Sequence, residues 1–314
     1  EWEESGTTIK RSPGEAWARN EEFYDREGLT WTYIKETGRR FGYTPSDTLY
    51  SNTGYMLVPE RDVDVDKLLA AMNSDLYHML FLSMTVERHW NSGEIGSVPW
   101  IAEIENIDGL KEISKEQQNI TASLRSGDPI SPHYVGPFIM PDELDTPFHA
   151  HPHARSGRYE LIDRSTGGRR DDSIVVSAKK ARKQELRLTR ELEEISDKIN
   201  NMIYDCVGIS EDVREQVLTE IFLQTAEDPE DREVPDPESV PEVPENLDHE
   251  VKLLVHHFAM EVARESDDGI IPIQEIEDAG DSLLDRVVDK FHEAYGEHAE
   301  DRLVEVDDIL GDKP

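Results

Sequence analysis

Arg39, Arg40, Arg88, His89, Trp90 and Asn91 are the residues of this 314-residue chain whose types could read a nucleic acid. Arginine carries paired donors that match the acceptor edge of guanine, an asparagine amide matches adenine, and an aromatic plane can stack on a base. Four of the six fall in the stretch VERHWNSGEIGSVPW, where Gly93 and Gly96 would let backbone approach a ligand closely. Buried tryptophan, capping asparagine and surface arginine would also account for them.

A second cationic group lies further on. Between Ser177 and Arg190 stand Lys179, Lys180, Arg182, Lys183, Arg187 and Arg190, opposed only by Glu185. In an acidic protein such a run suggests phosphate contact through Lys179, Lys180, Arg182 and Lys183, against the alternative of a solvated helix face that pairs with acids elsewhere. His149, His151 and His153 alternate in PFHAHPHAR and on a strand would share a face able to hold zinc. Pro147 and Pro152 oppose a regular strand, and no spaced Cys or His offers a fourth ligand, so no metal site is expected. The single cysteine, Cys206, excludes an internal disulfide and reads as a small apolar core residue. Phosphate-loop, nucleophile-elbow and His-Glu-x-x-His patterns are missing, so the chain shows no catalytic residues of its own.

Charge sets the background for these clusters. With 69 acidic and 33 basic residues the formal net charge is −36, far beyond what solubility requires. The acids are spread among periodic apolar positions, which favours a protein built for a high-salt cytosol over an acidic mimic of nucleic acid. The apolar run around Met79 to Met84 is too short to span a bilayer, no signal peptide is visible, and no membrane partner is expected. A start at Glu-Trp-Glu, without Met, suggests a portion of a longer polypeptide.

The elements that must position the candidate residues are partly legible. LTWTYI and TLYSNTGYMLVP are rich in aromatic and β-branched residues and read as strands. Asp64 is a plausible cap for a helix whose apolar face runs Val65, Leu68, Leu69, Met72, Leu76, Met79 and Leu80. This helix, over 65–84, is read as scaffold. A longer helix is predicted near 174–207, with Leu188, Leu192, Ile195, Ile199, Met202 and Cys206 forming a packing seam and Gly208 stopping it; Ser210 then caps another helix. Residues 226–248 hold ten acids, one Arg and five prolines, and read as an extended linker without a core. Apolar spacing returns in VKLLVHHFAMEVA and SLLDRVVDKFHEAYG, a small acidic unit of helices.

The order of these blocks adds information. GLTWTYI, GRRFGYTPSDTLYSNTGYMLVP, LLAAMNSDLYHMLFLSM and HWNSGEIGSVPW, in that order, resemble the target-recognition half of the PglX family, the adenine-specific DNA methyltransferases of BREX phage-defence systems, and of related fused type IIG restriction-modification enzymes. Asn73-Ser74 and Val98-Pro99 match the Asn-Ser and Pro-doublet positions. LEEISDKINNMIYDCVGISEDVREQVLTEI is similar to a family helix ending in a Tyr-Asp/Glu-x-x-Gly-Ile/Leu turn, and DDGIIPIQEIEDAGDSLLDRVVDKFHEAYGE to the family's C-terminal region.

Composition and periodicity give an α+β fold in consecutive parts, a mixed domain over 1–170, a helical support segment over 171–225, the acidic Pro-rich linker over 226–248, and an incomplete, mostly α-helical domain over 249–314; the resemblance implies that the first is a target-recognition domain. It implies double-stranded DNA, the N-terminal methyltransferase half and other BREX proteins as partners. The family's S-adenosylmethionine glycine motif and its Asn-Pro-Pro-Tyr/Phe motif do not occur here. This chain would therefore select the adenine, bind no cofactor itself and be inactive alone, with S-adenosylmethionine serving the parent enzyme. Val98 to Trp100 are expected in the core and Arg88 to Asn91 nearer the DNA. Two other readings stay open: an acidic interaction or DNA-mimic protein, and a degenerate remnant with a scaffolding role.

Self-repulsion at −36 is screened within about 3 Å at 1 M salt but reaches about 10 Å at 0.1 M. Circular dichroism from 0.1 to 3 M KCl is expected to show unfolding at the dilute end. A protein most stable in dilute buffer would assign the acidity to something other than salt.

Overall fold

Short β-rich segments and longer amphipathic ones give a helix-rich α+β chain. The computed structural model describes residues 21–32, 40–46, 48, 54–60, 62–85, 89–144, 158–226, 228, 232–266, 271–273 and 281–311. Among them the strands are β1 (Gly28–Trp31), β2 (Phe41–Thr44) and β3 (Met56–Leu57). The helices are α1 (Val65–Met72), α2 (Asp75–Met84), α3 (Ser92–Ile95), α4 (Leu110–Arg125), α5 (Ile174–Val207), α6 (Glu211–Thr225), α7 (Leu247–Glu265), α8 (Leu283–Tyr295) and α9 (Ala299–Leu310). No helix among the described residues is long and apolar enough to cross a membrane.

Contacts divide the chain into two units, Glu1–Ser114 with Ile199–Asp228 and Lys115–Lys198 with Pro229–Pro314. These units are discontinuous in sequence, whereas the composition pointed to consecutive domains. The difference has a simple origin. Composition registers where apolar spacing stops and starts, but a unit is defined by which segments share a core.

In the first unit the strands form an antiparallel sheet in the order β2-β1-β3. Trp31 faces Phe41 and Thr30 faces Gly42 across one pair, and Leu29 faces Leu57 across the other. A Cβ on Gly28 would strike the Leu57 carbonyl, so the close approach of β1 to β3 requires glycine there. Leu29, Trp31 and Phe41 are buried, and the Phe41 ring lies between Trp31 and Phe81 of α2, with centroids 5.7 and 5.3 Å away.

Asp64 caps α1 as expected, accepting from the amides of Asp66 (2.9 Å) and Lys67 (3.3 Å). The single helix expected over 65–84 is instead two, broken at Asn73-Ser74. Ser74 is extended (φ −79°, ψ 157°) and its hydroxyl accepts from the Tyr77 amide, capping α2. Asn73 is taken by the sheet: its Oδ1 accepts from the Phe41 amide and its Nδ2 donates to the Phe41 carbonyl, both at 3.0 Å. Local polar competition and a tertiary demand thus override the apolar periodicity.

The last turns of α5 and all of α6 complete this unit. Asn200 accepts from the Asp75 amide (2.9 Å) and donates to the Asp75 carboxylate (2.8 Å), and α6 lies against α2. Between α5 and α6, Gly208 takes φ +73°, its amide donates to the Asp205 carbonyl and the Ile209 amide to the Tyr204 carbonyl. This paired closure satisfies the last carbonyls of α5. On α5 itself Leu188, Ile195 and Ile199 are buried, whereas Leu192, Met202 and Cys206 are half-buried and Ile203 is fully buried instead. A straight helix turns every 3.6 residues, so its buried face drifts away from a strict four-three repeat.

In the second unit α7, α8 and α9 pack on one another, with the Phe258 and Phe291 rings 4.8 Å apart. The Glu305 carboxylate of α9 accepts from the Ile174 amide at 2.6 Å, capping the first turn of α5. Tyr134 and His257, both buried, share a 2.8 Å hydrogen bond between Oη and Nδ1.

Replacing Asn73 with Ala leaves both polar groups of Phe41 without their side-chain partner. Denaturant titration in high salt is expected to show a loss of about 2 kcal/mol, with the slope of the transition unchanged. An unchanged midpoint would remove the bridging role.

Candidate nucleic-acid interface

Trp90 is 2% exposed. Its ring sits among Phe81 (centroids 5.0 Å apart), His78 (5.8 Å) and Phe41 (6.1 Å), and its carbonyl accepts from the Trp31 indole at 3.0 Å. The Arg40 guanidinium carbon lies 3.8 Å from the centre of the Trp90 ring, and Arg40 is itself buried. Burial brings the Arg40 pKa down to about 10. The two residues are brought together, but as parts of the core: in this arrangement the indole has no face to offer a base.

Trp100 is half-buried beside Tyr77, with ring centroids 6.1 Å apart, while Pro99 is exposed. Tyr77 Oη donates to the Pro99 carbonyl (3.2 Å) and accepts from the Ile101 amide (3.0 Å). The expected division of VERHWNSGEIGSVPW, with Val98 to Trp100 inside and Arg88 to Asn91 outward, therefore fails at Trp90, which is buried, and at Pro99, which is exposed, while Asn91 is exposed and Val98 and Trp100 are half-buried. The physical reason is position: both rings are tryptophans, but Trp90 meets Phe41, His78 and Phe81, whereas Trp100 meets Tyr77.

Asn91 is exposed, at the start of α3, where the Glu94 carboxylate accepts from the Asn91 amide nitrogen (3.2 Å) and side chain (3.3 Å). His89 is half-buried. Arg39 and Arg88 lie outside the described residues, as do His149, His151 and His153. Among the described residues no group of His, Cys, Asp and Glu is arranged to hold a metal.

Near Cys206 an open cleft of about 560 Å³ is lined by Glu103, Asn106, Ile107, Asp108, Met202 and Cys206. Burial, and then the Glu103 carboxylate, push the thiol pKa up, which disfavours the thiolate and agrees with an inert cysteine.

Four of the cations of α5 are engaged in two different ways. Lys180 is drawn inward, donating to the Gly167 carbonyl (2.7 Å) and the Asp172 carboxylate (2.6 Å), and Arg182 faces Glu185 at 3.4 Å on its own helix. Lys179 and Lys183 point instead to the acidic segment after residue 231, pairing with Glu242 (2.7 Å) and with Glu238. The segment read as a free extended linker is therefore docked along its described part. Asp236 caps a 3-10 turn over Pro237–Ser239, and Val240 and Pro244 are buried. Opposite charge overrides the stiffness and self-repulsion on which the linker reading rested. Glu238 and Glu242 are the residues that sequence reasoning missed, although Asp-Pro-Glu, with its proline at the first position of the turn, signalled a cap.

Compared with known proteins, the chain matches no family model and no curated protein.

Glu250 of α7 is buried and accepts from Asn246 at 2.7 Å. Burial first, and then the Glu185 carboxylate, push its pKa up to about 7. The folded state thus binds this proton more tightly than the unfolded chain, so stability falls as pH rises between about 4.5 and 7. Glu250→Gln is expected to remove that slope and raise stability at pH 7 by an amount on the order of 3 kcal/mol. Thermal melts of both proteins across this pH range, at fixed salt, check it; parallel curves would overturn the assignment.

Proposed function

We propose that the chain is the DNA target-recognition portion of an adenine-N6 DNA methyltransferase of phage defence, the part that selects which adenine is marked. The supporting observation is the meeting of two separately resembling blocks. Gly28 to Trp100 and the part of the second block from Ile199 to Ile221 lie far apart in sequence, yet join in one unit through Asp75 with Asn200 and α2 with α6. Blocks that share an order with one family have a reason to keep it if they build one module.

The family-matched residues act as supports in this reading. Asn73 ties β2, Ser74 starts α2, and Gly208 turns the chain between α5 and α6. Base reading then falls to Asn91 and His89 around this frame, and to Arg39 and Arg88, which lie outside the described residues. Arg40 and Trp90 set the shape of the frame. S-adenosylmethionine belongs to the methyltransferase half, and this chain's residues orient the duplex for it.

A second reading has its own support. An acidic interaction protein that occupies a DNA-binding partner would carry a net charge such as −36 and cover its own cations, as Glu238 and Glu242 cover Lys183 and Lys179.

Methylome sequencing of cells carrying the chain with its methyltransferase half separates the two. Ala at Arg39, Arg88 or Asn91 is expected to relax the choice of base at one position by about 1–3 kcal/mol, whereas Ala at Trp90 lowers methylation at every site through loss of folded protein. An unchanged motif and level in all three reader variants would overturn the target-recognition reading and favour the acidic partner.

A further inference from the structure

Lys179 and Lys183 stand four residues apart on α5, so both project from one helix face. Glu238 and Glu242 are also four apart, and the turn over Pro237–Ser239 sets their carboxylates against these two ammonium groups. We propose that the segment from Asp236 to Glu242 is a displaceable mask, which covers the phosphate-binding face of α5 with carboxylates until a nucleic-acid duplex takes their place. The inference rests on the DNA-recognition reading.

Three observations argue for displacement rather than permanent closure. The glutamate side chains remain 93% and 74% exposed while paired, so the contacts exclude little water and exchange readily with another anion. Charge is matched one to one, a carboxylate oxygen on each ammonium, which is the chemistry a backbone phosphate oxygen would supply. The segment is also held by contacts other than these two pairs: Val240 and Pro244 are buried, so it can lift its carboxylates and stay attached.

The basic face then has a defined extent. Lys180 and Arg182 are tied to Asp172 and Glu185, leaving Lys179, Lys183 and the exposed Arg187 and Arg190 along the outer side of α5. Arg187 has an acid of its own helix, Glu191, at 3.9 Å. Among the described residues, Lys179 and Lys183 are the cations of this row that pair with glutamates of the acidic segment.

The test compares the full chain with its E238Q/E242Q variant by amide hydrogen exchange over 236–242 and by affinity for a random-sequence DNA duplex at several KCl concentrations. Faster exchange is expected, with about tenfold tighter duplex binding and a salt dependence steeper by about two counterions; adding K179Q/K183Q should abolish the gain. Unchanged exchange would overturn the mask, since the carboxylates would not be holding the segment. Faster exchange with unchanged affinity would also overturn it, and would leave the DNA reading to its methylome test. If neither protein bound the duplex at any salt concentration while exchange did quicken, the DNA reading would fall and the mask with it.

Discussion

Scarcity of positive charge is the constraint that organises this molecule. Two acids stand for every base, so each cation is surrounded by more anions than it can satisfy. Many of the cations are spent as internal ties. Lys67 donates to the carbonyls of Glu105 (2.6 Å) and Ile107 (3.0 Å), Lys111 holds Asp64 at 2.6 Å, and Lys290 sits between Glu265 and Glu293. Arg164 lies over the Phe138 ring, 4.3 Å from its centre, and donates to the Gly136 carbonyl; Arg214 braces Tyr204 and Asp205 beside the Gly208 turn. Long cationic side chains contribute packing and directed hydrogen bonds together, and neither depends on net charge.

The same constraint changes how a cationic cluster should be interpreted. In a basic protein a row such as that on α5 would stand open to phosphates. Here an acidic segment occupies two of its lysines, and Arg40, which looked like a base reader, is an aromatic-stacked strut. A side chain's chemistry names what it can bind, but the local balance of charge and burial decides what it does bind.

Periodicity was the most legible property. The ends of α5, the Asp64 cap, the position of Ser210 at the start of α6 (though its hydroxyl makes no capping bond) and the Gly208 stop follow from local chemistry, and local chemistry is what a linear sequence displays. The break between α1 and α2 was less visible because it depends on Asn73 meeting a strand more than thirty residues away in sequence. Trp90 was misplaced for the same reason: its neighbours Phe41, His78 and Phe81 come from a strand and a helix, and no short window along the chain contains them all. The docking of residues 236–242 is of this kind too, a pairing between distant segments whose compositions, taken singly, suggested freedom for one and exposure for the other.

Trp31 and Phe41 face each other while the Thr32 amide donates to the Arg40 carbonyl, so the alternating ladder turns the polar groups of Phe41 away from β1. That is the outer edge of the sheet, where an extended segment of another molecule could add itself and begin an aggregate. Proteins commonly guard such an edge with charged side chains, a defence that weakens as ions accumulate around them. Asn73 guards it at Phe41 with one amide, which fills a donor and an acceptor that an invading strand would use. Since this plug works by occupancy, it does not weaken as salt accumulates around the folded protein.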